Sequence, residues 1–270
     1  GAKIAIFDEN LKQIGISNHV AKGEKMYSSR FMGNKAYLVT YKTVDPLFVI
    51  DLSNETKPTV LGELHIPGYS TYLHPYDENH LIGIGMETEE IVNKNSIGKV
   101  TSTTSKITGM KMALFDVSDV NNPTQLSQTI IGDSRTTSAI LTNPKALLFS
   151  KEKQLLAIPV NNYSEDFEID SSIDSYSSIV DSYTNYNKSY VSEGYFVYKI
   201  NINDGFNLKG VITHETSQKN KNKSSYSYNY NNSKLLRGLY IDNNLYTISE
   251  TAIKVNNLDT LELIDELKIK

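Results

Sequence analysis

The chain has 270 residues and a mass of 30.3 kDa, and its 27 basic and 31 acidic side chains leave a net charge of −4. This balance excludes a generally basic surface that neutralises phosphates, so we expect no nucleic-acid partner. The absence of cysteine excludes disulfides, thiolate metal sites and a cysteine nucleophile. No apolar run approaches the roughly 18 residues that a membrane-spanning helix needs, so we expect no transmembrane span.

One block recurs along the chain: an apolar run, a turn that begins with Asp, and a second strand. Its clearest copies are 46–68 and 110–132, which align Asp51 with Asp116. Weaker copies occupy 3–18, 195–214 and 252–270. Five copies of a strand–turn–strand unit indicate a repeat architecture.

Another hairpin precedes each of the four internal copies, with β-branched and aromatic residues on both sides of a short Gly, Asn or Asp turn. The repeating unit is therefore four antiparallel strands, and the first copy is only half a unit. The predicted organisation is a half-blade at 3–18 followed by blades at about 27–68, 69–132, 138–214 and 235–270.

Apolar residues stand at consecutive positions in the third strand of these units, as in Leu47–Ile50, Met112–Phe115 and Tyr195–Tyr198. A sheet with one wet face would alternate, so both faces of these strands should be covered. Four-stranded sheets that pack face to face around an axis provide such cover, which predicts an all-β β-propeller. A β-sandwich is the alternative fold, because strand spacing alone does not exclude it. The unpaired half-blade leads us to expect part of a larger propeller.

The runs SSRFMGNKAYLVTYKTVDPLFVIDLSN and LGELHIPGYSTYLHPYDENHLIGIG, within 28–85, carry a resemblance to a known family. The chain resembles the bacterial and archaeal secreted proteins that contain a C-terminal β-propeller domain distantly related to WD repeats. FDVSDVNNP, LLAIPV, the blade around 195–214 and LYTIS at 245–249 extend the match. The resemblance implies an extracellular or cell-surface protein, usually with further blades and a signal or anchor. It implies no reaction and no catalytic residues.

Three polar insertions interrupt the predicted meander, at 87–109, 161–193 and 215–233. The first two follow a second strand and the third follows a fourth strand, so we expect all three on one face of the disc. Segment 161–193 holds seven carboxylates against one lysine, a formal charge of −6, and 215–234 has a charge of +3. The simplest interpretation is a pair of solvated loops, and the alternative is a ligand-contacting face.

Metal binding has two candidate locations. The acidic insertion could bind Ca²⁺ through its carboxylates, although Asp170-Ser-Ser-Ile-Asp174 lacks the spacing and central Gly of an EF-hand loop. The stretch from His74 to His80 contains Asp77 and could offer zinc ligands, but it is read first as a hairpin turn. We therefore predict no resident metal and no cofactor.

Two further groups of side chains are candidates for ligand contact. Arg30 and Arg237 lie in equivalent innermost strands, where they either bind an anion in the central channel or bond to carbonyls of a neighbouring blade. Tyr226, Tyr228 and Tyr230 form a Tyr/Ser/Asn-rich stretch of the kind that binds proteins in paratopes and stacks on sugars.

No nucleophile elbow, P-loop or dinucleotide fingerprint occurs in the sequence. We therefore predict a non-catalytic extracellular scaffold that binds a protein or a glycan, and we assign no catalytic residues. The alternative is a propeller enzyme, such as a metal-assisted hydrolase or lyase, with its site at the central channel. Exposed blade edges would also allow self-association.

Overall fold

The structure is a computed structural model that describes residues 1–41, 45–163, 190–214 and 234–269. In these residues the regular structure is β-strand, apart from two 3-10 turns at Ala139–Leu141 and Pro144–Ala146. The chain divides into two units. The first comprises Gly1–Ser134 and Asn201–Phe206, and the second comprises Arg135–Ile200 and Asn207–Lys270. The predicted all-β fold class is confirmed.

The first unit contains a hairpin and two four-stranded antiparallel sheets. The hairpin is β1 (Ala5–Phe7) and β2 (Gln13–Ile16). The first sheet is β3 (Lys25–Met32), β4 (Lys35–Tyr41), β5 (Asp45–Asp51) and β6 (Thr59–Ile66). The second sheet is β7 (Tyr69–Pro75), β8 (His80–Lys94), β9 (Val100–Asp116) and β10 (Thr124–Ile131).

The second unit contains two more four-stranded sheets. One is β11 (Leu148–Ser150), β12 (Leu155–Tyr163), β13 (Tyr190–Asn201) and β14 (Gly205–Ile212). The other is β15 (Leu235–Ile241), β16 (Asn244–Ser249), β17 (Ala252–Asn257) and β18 (Leu263–Lys268). In all four sheets the strands pair in chain order, with no strand exchanged between sheets. This meander is the strand arrangement of a propeller blade, whereas a β-sandwich connects its sheets through Greek keys.

Burial explains the continuous apolar runs. In the first three sheets the second and third strands are covered on both faces, as in β4, where the five residues Ala36–Thr40 are all buried. In the fourth sheet β16 instead alternates between buried and half-buried residues. The fourth strands face solvent, and every residue of β18 is exposed. The sheets therefore have a buried apolar middle and an exposed outer strand, and the core of each unit lies between the middle strands.

Asp51 and Asp116 occupy the same position in the first two sheets. Each is the last residue of a third strand, and each is paired with the first residue of the preceding strand, Lys35 or His80. The Oδ1 atom of Asp51 accepts hydrogen bonds from the Ser53 amide at 2.9 Å and the Ser53 hydroxyl at 2.7 Å. Asp116 Oδ1 accepts from the Ser118 amide at 2.8 Å. The predicted repeat register is therefore confirmed for these two sheets.

The same turn recurs where the sequence repeat is weak. A side-chain oxygen of Asp8, Asn201 or Asn257 accepts a hydrogen bond from the amide two residues further on, at 2.8–2.9 Å. An Asx turn thus ends the first strand of the hairpin and the third strand of every sheet.

The segment 87–109, predicted as a polar loop, is instead a two-stranded ribbon. It continues β8 and β9 beyond their neighbours, with pairs from Thr88–Ile107 to Lys94–Val100. The pairs combine β-branched residues and oppositely charged ones, such as Glu89 with Lys106, which stabilise a sheet without a core. Polar composition alone therefore gave the wrong structure here.

The start of the third blade also differs from the prediction. A strand was expected from residue 138, but the chain forms the two 3-10 turns first and β11 has only three residues. Ser138 and Asn143 cap these turns by accepting the amides of Ile140 and Lys145. At the second insertion β12 continues to Tyr163 and β13 begins at Tyr190, so residues 164–189 lie outside the described residues. At the third insertion residues 215–233 lie outside them.

Candidate functional site

A groove of about 620 Å³ in the second unit is the candidate binding site. One wall is the segment with the two 3-10 turns, and the other is the start of β15. Asn161 of β12, Glu193 of β13 and Lys234 before β15 also line the groove. These residues stand beside the two insertions that are rich in charge, so the groove lies where both insertions join the sheets.

Hydrogen bonds fix the first wall to β12. The Ser138 hydroxyl donates to the Pro159 carbonyl, and Thr137 and Asn161 exchange backbone hydrogen bonds of 2.8 and 3.1 Å. The side chain of Asn143 accepts from the Lys145 amide at 3.2 Å. The backbone that presents Thr142 and Lys145 to the groove is therefore held on both sides of the turns.

A buried carboxylate fixes the second wall. Glu193 is 7% exposed, and its Oε1 accepts the Leu235 amide at 2.7 Å, which positions the first residue of β15. Behind the wall, the buried Tyr195 hydroxyl donates to the Ala157 carbonyl at 3.3 Å. Burial raises the pKa of Tyr195, although the Arg237 guanidinium opposes that shift. A Cβ on Gly238 would meet the Tyr195 ring at 2.6 Å, so only glycine fits beside that ring.

The described lining of the groove carries an excess of positive charge. Lys145, Lys234 and Arg237 are exposed cations that line it, and Glu193 is the lining carboxylate, which leaves a formal charge of +2. None of the three cations forms an ion pair with a side chain in the described part of the chain. Such a surface attracts an anion.

A second candidate surface is the ribbon of the first unit, which we call the β8–β9 ribbon (residues 87–109). Its root contains the buried ion pair of Lys111 and Glu87, whose Nζ and Oε2 atoms lie 3.0 Å apart. Lys111 also donates to the Pro67 carbonyl, and Thr88 Oγ1 accepts the Gly68 amide at 3.0 Å. These contacts tie the ribbon to the turn before β7.

Three tyrosine rings, Tyr27, Tyr41 and Tyr69, pack together near the same root, with centroids 4.6–5.8 Å apart. The Tyr41 hydroxyl is hydrogen-bonded to Ser105 of the ribbon. The ribbon therefore begins from a fixed base, and its orientation at that base is defined by packing.

The two predicted arginines have different environments. Arg30 donates from Nε to the Leu73 carbonyl of the neighbouring sheet at 2.9 Å, and its guanidinium lies over the Tyr72 ring at 5.7 Å. This is the contact with a neighbouring blade that we considered for both arginines, and it leaves Arg30 committed to packing. Arg237 is exposed and lines the groove. Of the two guanidinium groups, that of Arg237 is therefore the exposed one.

His74 lies near the end of β7, and Asp77 lies in the hairpin turn that follows it. Asp77 Oδ1 accepts the Asn79 amide at 2.9 Å and is paired with His80 Nδ1 at 2.7 Å. His74 Nδ1 lies 3.0 Å from the Tyr72 hydroxyl, and burial together with Arg30 lowers the pKa of His74 to about 4. In the described residues no three His, Asp or Glu side chains are grouped so as to hold a metal ion.

The other predicted contacts lie outside the described residues. These are Tyr226, Tyr228 and Tyr230, and the carboxylates from Glu165 to Asp181 that were considered for Ca²⁺. Sequence reasoning did not single out Lys145, and it counted Glu193 and Lys234 only in the charges of the two insertions. Their convergence in a groove follows from no periodic pattern in the sequence. None of the described helical segments is long or apolar enough to cross a membrane.

The fold and the repeat agree with a comparison with known families. A family model described as "Beta propeller domain" matches residues 1–261. The chain belongs to this β-propeller family.

Two archaeal relatives resemble the propeller in sequence. An uncharacterized protein of Methanocaldococcus jannaschii is 40% identical over 167 residues, which cover 62% of the propeller chain and 24% of that protein. An uncharacterized protein of Archaeoglobus fulgidus is 27% identical over 266 residues, 98% of the propeller chain and 31% of that protein. The chain thus spans about a quarter to a third of the length of these curated relatives.

Solved structures resemble the propeller only distantly. A variant of the Synechocystis apocarotenoid oxygenase aligns over 98% of this chain and 55% of its own, with 10% identity and a TM-score of 0.39. The N-terminal domain of Nup159 aligns over 89% and 62%, with 11% identity and a TM-score of 0.23. At these scores the resemblance carries no information about the site.

Proposed function

We propose that this propeller is a non-catalytic binding module and that its β8–β9 ribbon contacts a partner protein. The observation that carries the proposal is the ribbon itself. Beyond Met86 and Met110, β8 and β9 pair only with each other in the described part of the chain, so both edges of the ribbon present open backbone groups. Open edges are the elements that a partner strand extends.

The side chains of the ribbon support the same function. Apolar side chains project into solvent along it, with Ile91 40%, Val92 45% and Ile97 82% exposed. The eight residues from Glu87 to Lys94 span roughly 25 Å in an extended strand. A rigid sheet that carries such a projecting ribbon separates the scaffold from the contact surface, as binding proteins commonly do.

A binding assay with matched variants tests this function. Full-length protein is used to capture partners from an envelope extract of the source organism, and the affinity of each purified partner is then measured by calorimetry. Val92→Glu places a charge on the ribbon, and Leu126→Glu places the same charge on β10 at a similar exposure of 42%. We expect Val92→Glu to weaken binding about tenfold or more and Leu126→Glu to leave it unchanged. Equal affinities for the two variants would contradict the proposal.

We propose that this module acts outside the cytoplasm, on the cell surface or in the extracellular space. The cysteine-free composition is compatible with an oxidising exterior. The resemblance to secreted propeller proteins supports this location. Protease treatment of intact cells that express the full-length protein tests it: digestion before lysis is expected, and protection until lysis would contradict it.

A further inference from the structure

We propose that the groove of the second unit binds a sugar that carries an oxyanion, that is, a carboxylated or sulfated saccharide unit. This site is separate in the sequence from the β8–β9 ribbon, and its argument does not depend on the ribbon. Four observations support it: the size of the groove, its charge, its neutral polar side chains, and the geometry of its edge strand.

The size of the groove suits a small ligand. Its volume of about 620 Å³ falls in the range of small-molecule sites, which is roughly 300–1,000 Å³. Leu236, which is 39% exposed, gives it apolar surface. A saccharide unit has apolar C–H faces that can rest on such surface while its hydroxyls point to the walls.

The charge of the groove selects an anion. Lys145 reaches the groove from the turn segment, whereas Lys234 and Arg237 reach it from the start of β15, so cations stand on both walls. Glu193 is buried and its Oε1 accepts the Leu235 amide, so this carboxylate holds the second wall in place. A guanidinium and two ammonium groups form strong, charge-assisted hydrogen bonds with carboxylate, sulfate or phosphate oxygens.

Neutral polar side chains supply the partners that sugar hydroxyls need. Thr137, Thr142 and Asn143 are exposed and line the groove. Thr137 and Thr142 can both donate and accept, and the Asn143 amide offers donors while its oxygen caps the turn. A bare inorganic anion would bind to the cations alone, whereas an acidic sugar would bind to the cations and to these neutral polar side chains.

The edge of β15 disfavours an extended peptide as the ligand. Its pairing with β16 is interrupted by a register shift between Leu235 and Arg237, inside the groove. Such an irregularity bends the strand and breaks the regular series of backbone groups that a peptide strand requires. The cations and hydroxyls of the groove are therefore better suited to a saccharide.

Calorimetric titration of the full chain tests the proposal with five probes: trigalacturonate, a sulfated chondroitin tetrasaccharide, sulfate alone, maltotriose and hexaglutamate. We expect at least one acidic saccharide to bind about tenfold or more tighter than maltotriose, sulfate or hexaglutamate. That affinity should fall as NaCl is raised from 50 to 300 mM, because the cations are exposed. Trigalacturonate carries carboxylates alone, whereas the chondroitin tetrasaccharide carries both carboxylates and sulfates. Binding by the chondroitin tetrasaccharide alone would therefore identify sulfate as the required group.

Matched variants locate the binding. Arg237→Gln and Lys145→Gln should each weaken binding of the acidic saccharide about fivefold or more. Lys199→Gln removes an exposed cation of the same unit that does not line the groove, and should leave the affinity unchanged. Circular dichroism and thermal unfolding establish that each variant is folded. The proposal would be overturned if maltotriose bound as tightly as the acidic saccharides, or if hexaglutamate or sulfate alone bound more tightly than they do. It would also be overturned if Arg237→Gln kept the full affinity, or if neither acidic saccharide bound.

Discussion

His214, the single histidine of the second unit, has a hydrogen-bonding partner at each ring nitrogen. It is 6% exposed, and its Nδ1 and Nε2 atoms lie 2.9 Å from Ser249 Oγ and 2.7 Å from Thr247 Oγ1. Burial, assisted by the Lys254 ammonium, lowers the pKa of His214 to about 4. The folded protein therefore keeps this imidazole neutral at pH values where an unfolded chain binds a proton.

We expect the free energy of unfolding to fall as the pH is lowered from about 6.5 towards 4. An unfolded histidine has a pKa near 6.5, so the unfolded state binds more protons throughout this window and gains stability relative to the folded state. The complete loss for His214 is on the order of 3 kcal/mol. Urea unfolding at a series of pH values measures it. His214→Gln should reduce the slope, whereas His19→Gln, at an exposed position, should leave the slope unchanged.

The buried pair of Lys111 and Glu87 is a second prediction at the residue scale. Lys111→Met leaves a carboxylate buried without its cation, so we expect a loss of about 3–5 kcal/mol in stability. Adding Glu87→Leu to that variant removes the unpaired charge and should recover most of the loss. Chemical denaturation of the two single variants and the double variant measures the coupling. Additive losses in the double variant would show that the two charges do not stabilise each other.

At the scale of elements, the sequence predicted the strands whose apolar residues are buried on both faces. Consecutive apolar residues in β5, β9 and β13 predicted two covered faces, and the Asp turns predicted their ends. The β8–β9 ribbon was missed because it has no core, so apolar periodicity is absent. Its β-branched residues from Val100 to Ile107 were the available signal. The environments of Arg30 and Arg237 could not be predicted, because one register step decides whether a side chain meets a carbonyl or solvent.

The Asx turns allow a prediction for single elements. Asp51→Ala removes the acceptor of the Ser53 amide and should lower the stability by about 1 kcal/mol. Asp51→Asn should retain the stability, because Asn201 and Asn257 make the same turn in other sheets. Thermal unfolding compares both variants with Glu55→Ala, an exposed substitution in the same connection. Equal losses for Asn and Ala at position 51 would contradict the role of the turn.

At the scale of the whole molecule, the sequence predicted the repeat and its register but not the groove. The groove depends on the 3-10 turns after Ser138, which replace the expected start of a strand.

The outer strand β18 also exposes Leu263, Ile264 and Leu267 by 54–64%, which is unusual for three large apolar residues on one short strand. The two matched relatives are about two and a half to three times as long as this chain. Because the relatives contain much more chain, the oligomeric state of this chain has to be measured on the chain itself.

We expect this chain to self-associate through β18. Its edge has open backbone groups, and its apolar side chains gain free energy when they leave water. Leu263→Lys combined with Leu267→Lys should shift the sedimentation coefficient to that of a monomer. Leu11→Lys, at a turn residue that is 82% exposed, is the control and should leave the distribution unchanged. A wild-type chain that is monomeric at 100 times the working concentration would refute this prediction.

The pairing of strands in chain order has a consequence for folding during synthesis. Each sheet consists of four strands that follow one another, so the contacts that build it join residues close in the sequence. Contacts of this kind cost little loop-closure entropy and form quickly. A sheet can therefore assemble as soon as its own stretch has left the ribosome or a translocation channel, before the rest has been made. Synthesis from the N-terminus would add the sheets one at a time, and within each unit the finished sheet would offer the next one a preformed apolar surface.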